Sequence, residues 1–412
     1  KLAGEHFGQL VSETFTVDAY SSTAFVARMK PAKPSYVLGE RVRIDLDASY
    51  LRGNRLAAGR ARFTVRRRDQ LPRFSAFDGF IFSDLNALSD QGQFWARREE
   101  RSYTYEVTSG EVPLDSSGHA TFSFSTADPE EVIRTAQTFL IEARVTDSAR
   151  QIGLAQVAVP AHRSAVFLGL SALQRMPAAG KPFALQLLAL DENGIPRAMQ
   201  ATLVLSLREW RCSFVQAAPY TDDAPGHRCE PKEIELERRI VDLSNRGPIL
   251  QSVTVNHVGT LLVSLRAPDG YGHEVVASDE LTLVGPGHAS WRRDQEPRVP
   301  LLLSRSSHRP GETAELLLKA PFRSTATLLT VERDGILHQV VQPLAGNGAT
   351  LPLALTERFA PNVFASVVAV AGRTGPGPTE GPQLAMGMTP LPVNATAKRL
   401  RVVVEADRAS YQ

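Results

Sequence analysis

Cysteine is nearly absent, with two in 412 residues. That excludes a disulfide-dense scaffold and any four-cysteine zinc site. Long apolar runs are lacking as well: the strongest, Val363 to Ala371, falls far short of the roughly 18 residues that span a bilayer. The opening Lys1-Leu2-Ala3-Gly4-Glu5 has no basic-then-apolar targeting segment, so no membrane insertion is expected of this stretch. Net charge is equally scarce, because 46 Lys and Arg face 44 Asp and Glu. Without a broad positive field, nucleic acid is not an expected partner. There is no Gly-x-Ser-x-Gly, phosphate loop, dinucleotide fingerprint or His-Glu-x-x-His. The nine histidines, His6, His119, His162, His227, His257, His273, His288, His308 and His338, are scattered singly. No catalytic, cofactor-binding or metal-binding residue is expected, and no cofactor.

What is present is a globular composition, 43% hydrophobic and 22% charged, with 29 Gly and 27 Pro marking many turns. It is also repetitive. Ser35-Tyr36-Val37-Leu38-Gly39-Glu40 and Ser307-His308-Arg309-Pro310-Gly311-Glu312 are one turn met twice, and Pro177-Ala178-Ala179-Gly180-Lys181 is a degenerate third copy. Each follows an extended segment and precedes a period-two run. In the first copy Val42, Ile44, Leu46, Ala48 and Tyr50 alternate with Arg41, Arg43, Asp45, Asp47 and Ser49, the pattern of a strand with one buried face. His308 stands where the first copy has Tyr36. A fourth copy begins at Arg399 to Val404 and reaches Ser410-Tyr411-Gln412, while Gly8 to Tyr20 reads as the tail of an earlier module. The chain is therefore expected to be a piece of a longer multidomain protein.

The fold class expected is all-β: tandem fibronectin III-like sandwiches of roughly 100 to 135 residues. Residues 1–29 are the end of a preceding domain and a linker. Residues 30–160 form a sandwich with an inserted aromatic loop at 66–103, and 161–296 a sandwich with a hairpin extension at 212–229. Residues 297–395 form a third sandwich, and 396–412 the first strand of a following domain. Hairpin signals stand at Asp191-Glu192-Asn193-Gly194 and at Asp334-Gly335, the latter predicting a type I′ turn. One short helix is expected, at Asp128-Pro129-Glu130-Glu131.

Several passages resemble bacterial alpha-2-macroglobulins. They are Phe15-Thr16-Val17-Asp18-Ala19-Tyr20 running into the first turn, Tyr50 to Ala61, Ser307 to Glu312 with Pro321-Phe322, Thr330 to Gly335, and Pro361 to Val368. The resemblance implies consecutive macroglobulin β-sandwiches of a large periplasmic protein that traps proteases, offering a cleavable bait whose rupture collapses the molecule around the attacker. Implied partners are proteases, through the parent protein, and neighbouring macroglobulin domains; peptidoglycan-synthesis proteins stay an open class. A membrane anchor of the parent would lie outside this stretch. The family's Cys-x-Glu-Gln thioester motif is missing: the cysteines stand in Cys212-Ser213-Phe214-Val215 and Cys229-Glu230-Pro231-Lys232. By the family's domain order the bait-hosting domain would begin near 396. The chain itself would be a structural, non-enzymatic segment.

Two features carry local expectations. Cys212 and Cys229 flank a polar loop; with His227 between them they are one ligand short of a zinc site, and a disulfide is favoured over zinc and over free thiols. The segment Leu71 to Trp95 is rich in Phe74, Phe77, Phe80, Phe82, Phe94 and Trp95. Either these rings cover a sheet or wedge against the next module, or they form a partner surface. The second option supports the competing function, an adhesion or binding module that uses the aromatic insertion as its contact surface. The charge runs Arg66-Arg67-Arg68 and Arg97 to Arg101 read as solvated strand ends.

Overall fold

The computed structural model describes residues 2–6, 9–13, 25–51, 53–89, 104–127, 135–215, 226–270, 274–293, 297–323, 326–344, 346–373, 375 and 381–394. Strand dominates throughout. Compactness divides the chain into two units: Lys1–Leu71 with Glu100–Arg163, and Pro72–Glu99 with Ser164–Gln412. The segment expected to be a loop of the first sandwich therefore belongs, over Pro72–Glu99, to the second unit. The expected helix at 128–131 lies outside the described residues.

The first unit opens with the antiparallel hairpin β1 (Leu2–His6) and β2 (Gln9–Glu13). Its sandwich is built from β3 (Phe25–Pro31), β4 (Tyr36–Val37), β5 (Arg41–Tyr50), β6 (Arg60–Gln70), β7 (Tyr105–Pro113), β8 (His119–Ser125), β9 (Ala136–Thr146) and β10 (Ile152–His162). The sheets run β3-β5-β8 and β4-β10-β9-β6-β7. Strand β3 starts at Phe25, ahead of the expected boundary at 30, because the extended segment before the turn is itself the sandwich's first strand and pairs with β5. The period-two run becomes the core: Val42, Ile44, Leu46 and Ala48 are buried, with Arg41, Arg43 and Asp47 exposed between them. Phe63 stacks on Phe122 across the sandwich, ring centroids 4.0 Å apart.

The second unit holds α1 (Leu85–Ser89) and two sandwiches. One comprises β11 (Val166–Ala172), β12 (Pro182–Asp191), β13 (Met199–Val215), β14 (Gly226–Leu243), β15 (Ile249–Thr254), β16 (Gly259–Pro268) and β17 (Glu274–Leu283), in sheets β11-β12-β15 and β14-β13-β16-β17. The other comprises β18 (Leu301–Leu303), β19 (Thr313–Leu318), β20 (Ala326–Glu332), β21 (Ile336–Gln342), β22 (Leu351–Ala354), β23 (Asn362–Ala371) and β24 (Gln383–Pro392), in sheets β18-β19-β22 and β21-β20-β23-β24. Each has its own apolar cluster, around Leu185, Leu205 and Leu261 in one and Leu316, Leu329 and Val367 in the other.

Both hairpin signals form turns, the first closing a short antiparallel bridge and the second departing from the expected type. Asp191 caps its turn, its Oδ1 accepting from Asn193 N at 2.9 Å and Ile195 N at 2.9 Å. Leu190 stands opposite Pro196 in a bridge closed by Asp191 N to Ile195 O at 3.0 Å and Arg197 N to Ala189 O at 2.8 Å, and the next strand, β13, lies in the other sheet. Asp334-Gly335 does join β20 to β21, but with a register shift at Val331/Glu332 and without the positive φ that a type I′ turn needs at Gly335.

The repeated turn does the same job three times. Its glycine takes φ of +100° at Gly39, +74° at Gly180 and +87° at Gly311, a region only glycine enters without strain. The next residue then donates back three positions, Glu40 to Val37, Lys181 to Ala178 and Glu312 to Arg309. In each copy the turn also pairs in parallel with the exit of its sandwich: Tyr36 opposite Ala161, Ala178 opposite Val284, His308 opposite Val393. The repeat is a latch that fastens the exit of each sandwich to its entry.

Candidate functional site

Two places around the second sandwich gather the side chains that the sequence marks as unusual. The first is the aromatic segment. Sheets end in edge strands whose free N–H and C=O groups invite unwanted pairing, and β11 and β17 are the edges of the two sheets of this sandwich on one side. Residues 81–86 lie across both. Ile81 and Leu170 exchange backbone hydrogen bonds of 2.8 and 3.0 Å, and Ser278 N donates to Ser83 O at 3.0 Å. The Ser278 hydroxyl donates to Asp84 Oδ1 at 2.6 Å and accepts from Asn86 N at 2.9 Å. Asp84 also caps α1, accepting from Ala87 N at 3.2 Å. This five-residue helix was missed at the sequence level; its signal is the Ser83-Asp84 pair ahead of Leu85-Asn86-Ala87-Leu88.

The rings anchor the strap formed by these residues. Phe74 lies edge-on to Phe82 at 4.8 Å and to Phe167 at 5.1 Å, and the cluster closes on Leu188 and Leu190 with Phe77 and Phe80 at its rim. Gly169 makes the room: a Cβ there would stand 2.7 Å from the Phe82 ring. Phe74, Phe77, Phe80 and Phe82 are therefore turned onto the chain's own second sandwich. Phe82 is buried and Phe74, Phe77 and Phe80 are partly buried on this sandwich, which favours the covering reading over the partner-surface one. Phe94 and Trp95 lie outside the described residues.

The second place is the junction of the two sandwiches of this unit. The linker after β17 is held by Asn347, a buried side chain: its Oδ1 accepts from Ala289 N at 2.7 Å, and its Nδ2 donates to Ala289 O at 2.9 Å and Ala320 O at 3.1 Å. Trp291 Nε1 donates to Asn347 O at 2.9 Å, while the ring packs with Ala289 and Leu317. On the other side Ser290 exchanges hydrogen bonds with the backbone of Trp210, and Arg293 donates to Pro321 O at 3.1 Å. Gly346 packs so closely on Gly287 that a Cβ would collide with its backbone. These contacts join the sandwiches of 161–296 and 297–395, each with its own core, into one compact unit.

Between the strap and the two sandwiches lies a cavity of about 520 Å³, with Leu85, Met176, Leu302 and Pro390 among its walls. Its charges neutralise one another: Arg175 pairs with Asp279, and Lys319 with Glu280 at 3.4 Å. Burial pushes the Asp279 carboxyl above the usual range, and the Arg175 guanidinium works against that rise. Arg208, almost wholly buried, reaches Glu233 at 2.8 Å and Glu280 at 3.9 Å. None of these groups forms a nucleophile beside a free base. Among the described residues no three His, Cys, Asp or Glu side chains cluster as metal ligands, and no helix is long and apolar enough to cross a membrane. Cys212 and Cys229 are disulfide-bonded across β13 and β14, two residues beyond Trp210.

Residues 300–412 match the model of the alpha-2-macroglobulin bait region domain. A curated relative, an alpha-2-macroglobulin homolog of Nostoc sp., is 22% identical over 98% of this chain. The chain is thus similar to alpha-2-macroglobulins, in residues 300–412 by the family model and along nearly its whole length by the relative. It covers 21% of the Nostoc protein's length. Among solved structures, the native conformation of Escherichia coli alpha-2-macroglobulin aligns with 97% of this chain and 25% of its own, at 17% identity and TM-score 0.47. The Escherichia coli protein activated by porcine elastase aligns with 94% and 36%, at 12% identity and TM-score 0.46. The bait-region match begins at 300, whereas the sequence reading placed the bait-hosting domain near 396; the third sandwich thus lies inside the matched region.

Proposed function

We propose that this chain is a non-catalytic, structural segment of a protease-trapping macroglobulin. The observation that carries the reading is the bait-region match over residues 300–412, on a sandwich bonded through Asn347 and Trp291 to the sandwich before it. In a trap, cutting one segment must move distant walls, and a stiff joint transmits that motion where a loose linker would absorb it. Proteases are then the partners of the longer protein; one solved relative is described as activated by trypsin and another by elastase. An oxidising compartment, the periplasm, suits the Cys212–Cys229 bond.

The test mixes elastase with this chain alone and, separately, with a longer protein that carries the remaining domains. Residual activity is read on a large protein substrate and on a small peptide. The longer protein is expected to shield the large substrate and spare the small one, and this chain to do neither. Near-stoichiometric shielding by this chain alone would contradict a purely structural role.

A further inference from the structure

The three latches differ in one buried side chain. In the first, Tyr36 is buried and its hydroxyl accepts from Lys33 N at 3.1 Å. In the second the position belongs to Pro177-Ala178, without a titratable group. In the third it is His308, 1% exposed, with neither Nδ1 nor Nε2 hydrogen-bonded. Its backbone forms the latch itself: His308 N donates to Pro392 O at 3.2 Å, and Asn394 N donates to His308 O at 2.7 Å. We propose that the third latch is acid-sensitive: protonation of His308 loosens its parallel contact with Val393 and opens the fastening of the third sandwich's exit to its entry.

A neutral imidazole is tolerated in such a pocket as a flat, weakly polar ring. An imidazolium is not, since it brings a charge and two donors with nothing to accept them. The charged groups around it come from its own turn: Arg305, which repels a second cation, and Glu312, which favours one but is already engaged by Arg305 at 3.5 Å and by Arg309 N at 3.0 Å. The exit strand opposite contributes Pro392, Val393 and Asn394, none charged. Burial and then Arg305 hold the His308 ring below its ordinary value of 6.5, with Glu312 opposing. The sign follows. Below about pH 6.5 the opened latch binds a proton that the closed one refuses, so closure is fully present above that pH and is lost as pH falls toward the depressed value. Neither Tyr36 nor Ala178 can respond in this range.

Amide hydrogen exchange, corrected for intrinsic chemistry, tests this between about pH 7.5 and 5.5. The reporters are His308 and Asn394; Ala179 and Val284, whose amides close the second latch, are the internal control. Opening of the third latch is expected to rise up to about tenfold per pH unit below 6.5 relative to the control. His308→Phe should abolish that excess. If both latches respond alike, or if the excess survives His308→Phe, the proposal is overturned. Should the variant not fold, proton NMR titration of wild-type His308 decides: a midpoint below 6.5 supports the latch, and one at or above 6.5 overturns it.

Discussion

The strap and the junction both fasten something to the second sandwich, by opposite physics. The strap holds mainly by apolar rings, Phe74 and Phe82 against Phe167, Leu188 and Leu190, with a short backbone ladder to align it. The junction holds mainly by a buried amide, Asn347, whose side-chain oxygen and nitrogen are both hydrogen-bonded. Apolar docking weakens in proportion to the area removed, whereas a buried polar network fails abruptly, because deleting one member orphans its partners. The junction should therefore be brittle and the strap graded. Trp210 and Trp291 both sit at the junction, so in a Trp95→Phe background, which silences the third tryptophan, fluorescence during urea unfolding reports on it.

The sharpest way to break the contrast is Asn347→Ala. It strands Ala289 N and Ala320 O in the interior, while Ala289 O keeps its bond from Trp291 N, and at about 1 to 3 kcal/mol per orphan the expected cost is about 4 kcal/mol. The tryptophan transition should shift to clearly lower urea; a shift smaller than that of the strap variants would reverse the comparison. Phe82→Ala comes next, at about 3 kcal/mol for a buried ring whose site can partly collapse, read from loss of protection of the Ile81 amide. Gly169→Ala sharpens the strap's side by pressing a methyl into the Phe82 ring, at about 1 to 2 kcal/mol.

Arg175→Ala probes the cavity between the two regions, with about 2 kcal/mol expected at neutral pH for the charged hydrogen bond lost from Asp279. Because burial raises the Asp279 pKa, the folded form holds its proton more tightly than the unfolded one. Its relative stability is greatest at acid pH and falls as pH rises through the folded value. Removing Arg175 raises that value further, so the variant's deficit should shrink when unfolding is repeated near pH 4. A deficit that grows on acidification would contradict the assignment. The smallest effect is expected of Trp291→Phe, which keeps the packing and loses one hydrogen bond, about 1 kcal/mol; its unfolding is followed by circular dichroism.

Local alternation made much of the fold legible. Val42, Ile44, Leu46 and Ala48 announced a half-buried strand, and the Gly39, Gly180 and Gly311 turns announced three sandwiches that begin alike. The latch was visible only as a repeat, since nothing in Tyr36 or His308 says that the partner lies at the far end of the same sandwich. The strap was half legible: so aromatic a segment had to pack somewhere, but which sandwich receives Phe74, Phe77, Phe80 and Phe82 depends on Gly169 and on two edge strands, features of tertiary structure. Asn347 gave no signal at all. An asparagine between glycines in Gly346-Asn347-Gly348 reads as an ordinary turn until Ala289 and Ala320 are seen beside it.

Limited digestion with chymotrypsin, mapped by mass spectrometry, tests most directly that the aromatic segment is a docked strap of the second sandwich. Cleavage after Phe74, Phe77, Phe80 and Phe82 is predicted only once the second sandwich unfolds, in the same urea range and together with cuts inside β11 and β17. Rapid cleavage at these phenylalanines while the second sandwich stays folded would contradict the account.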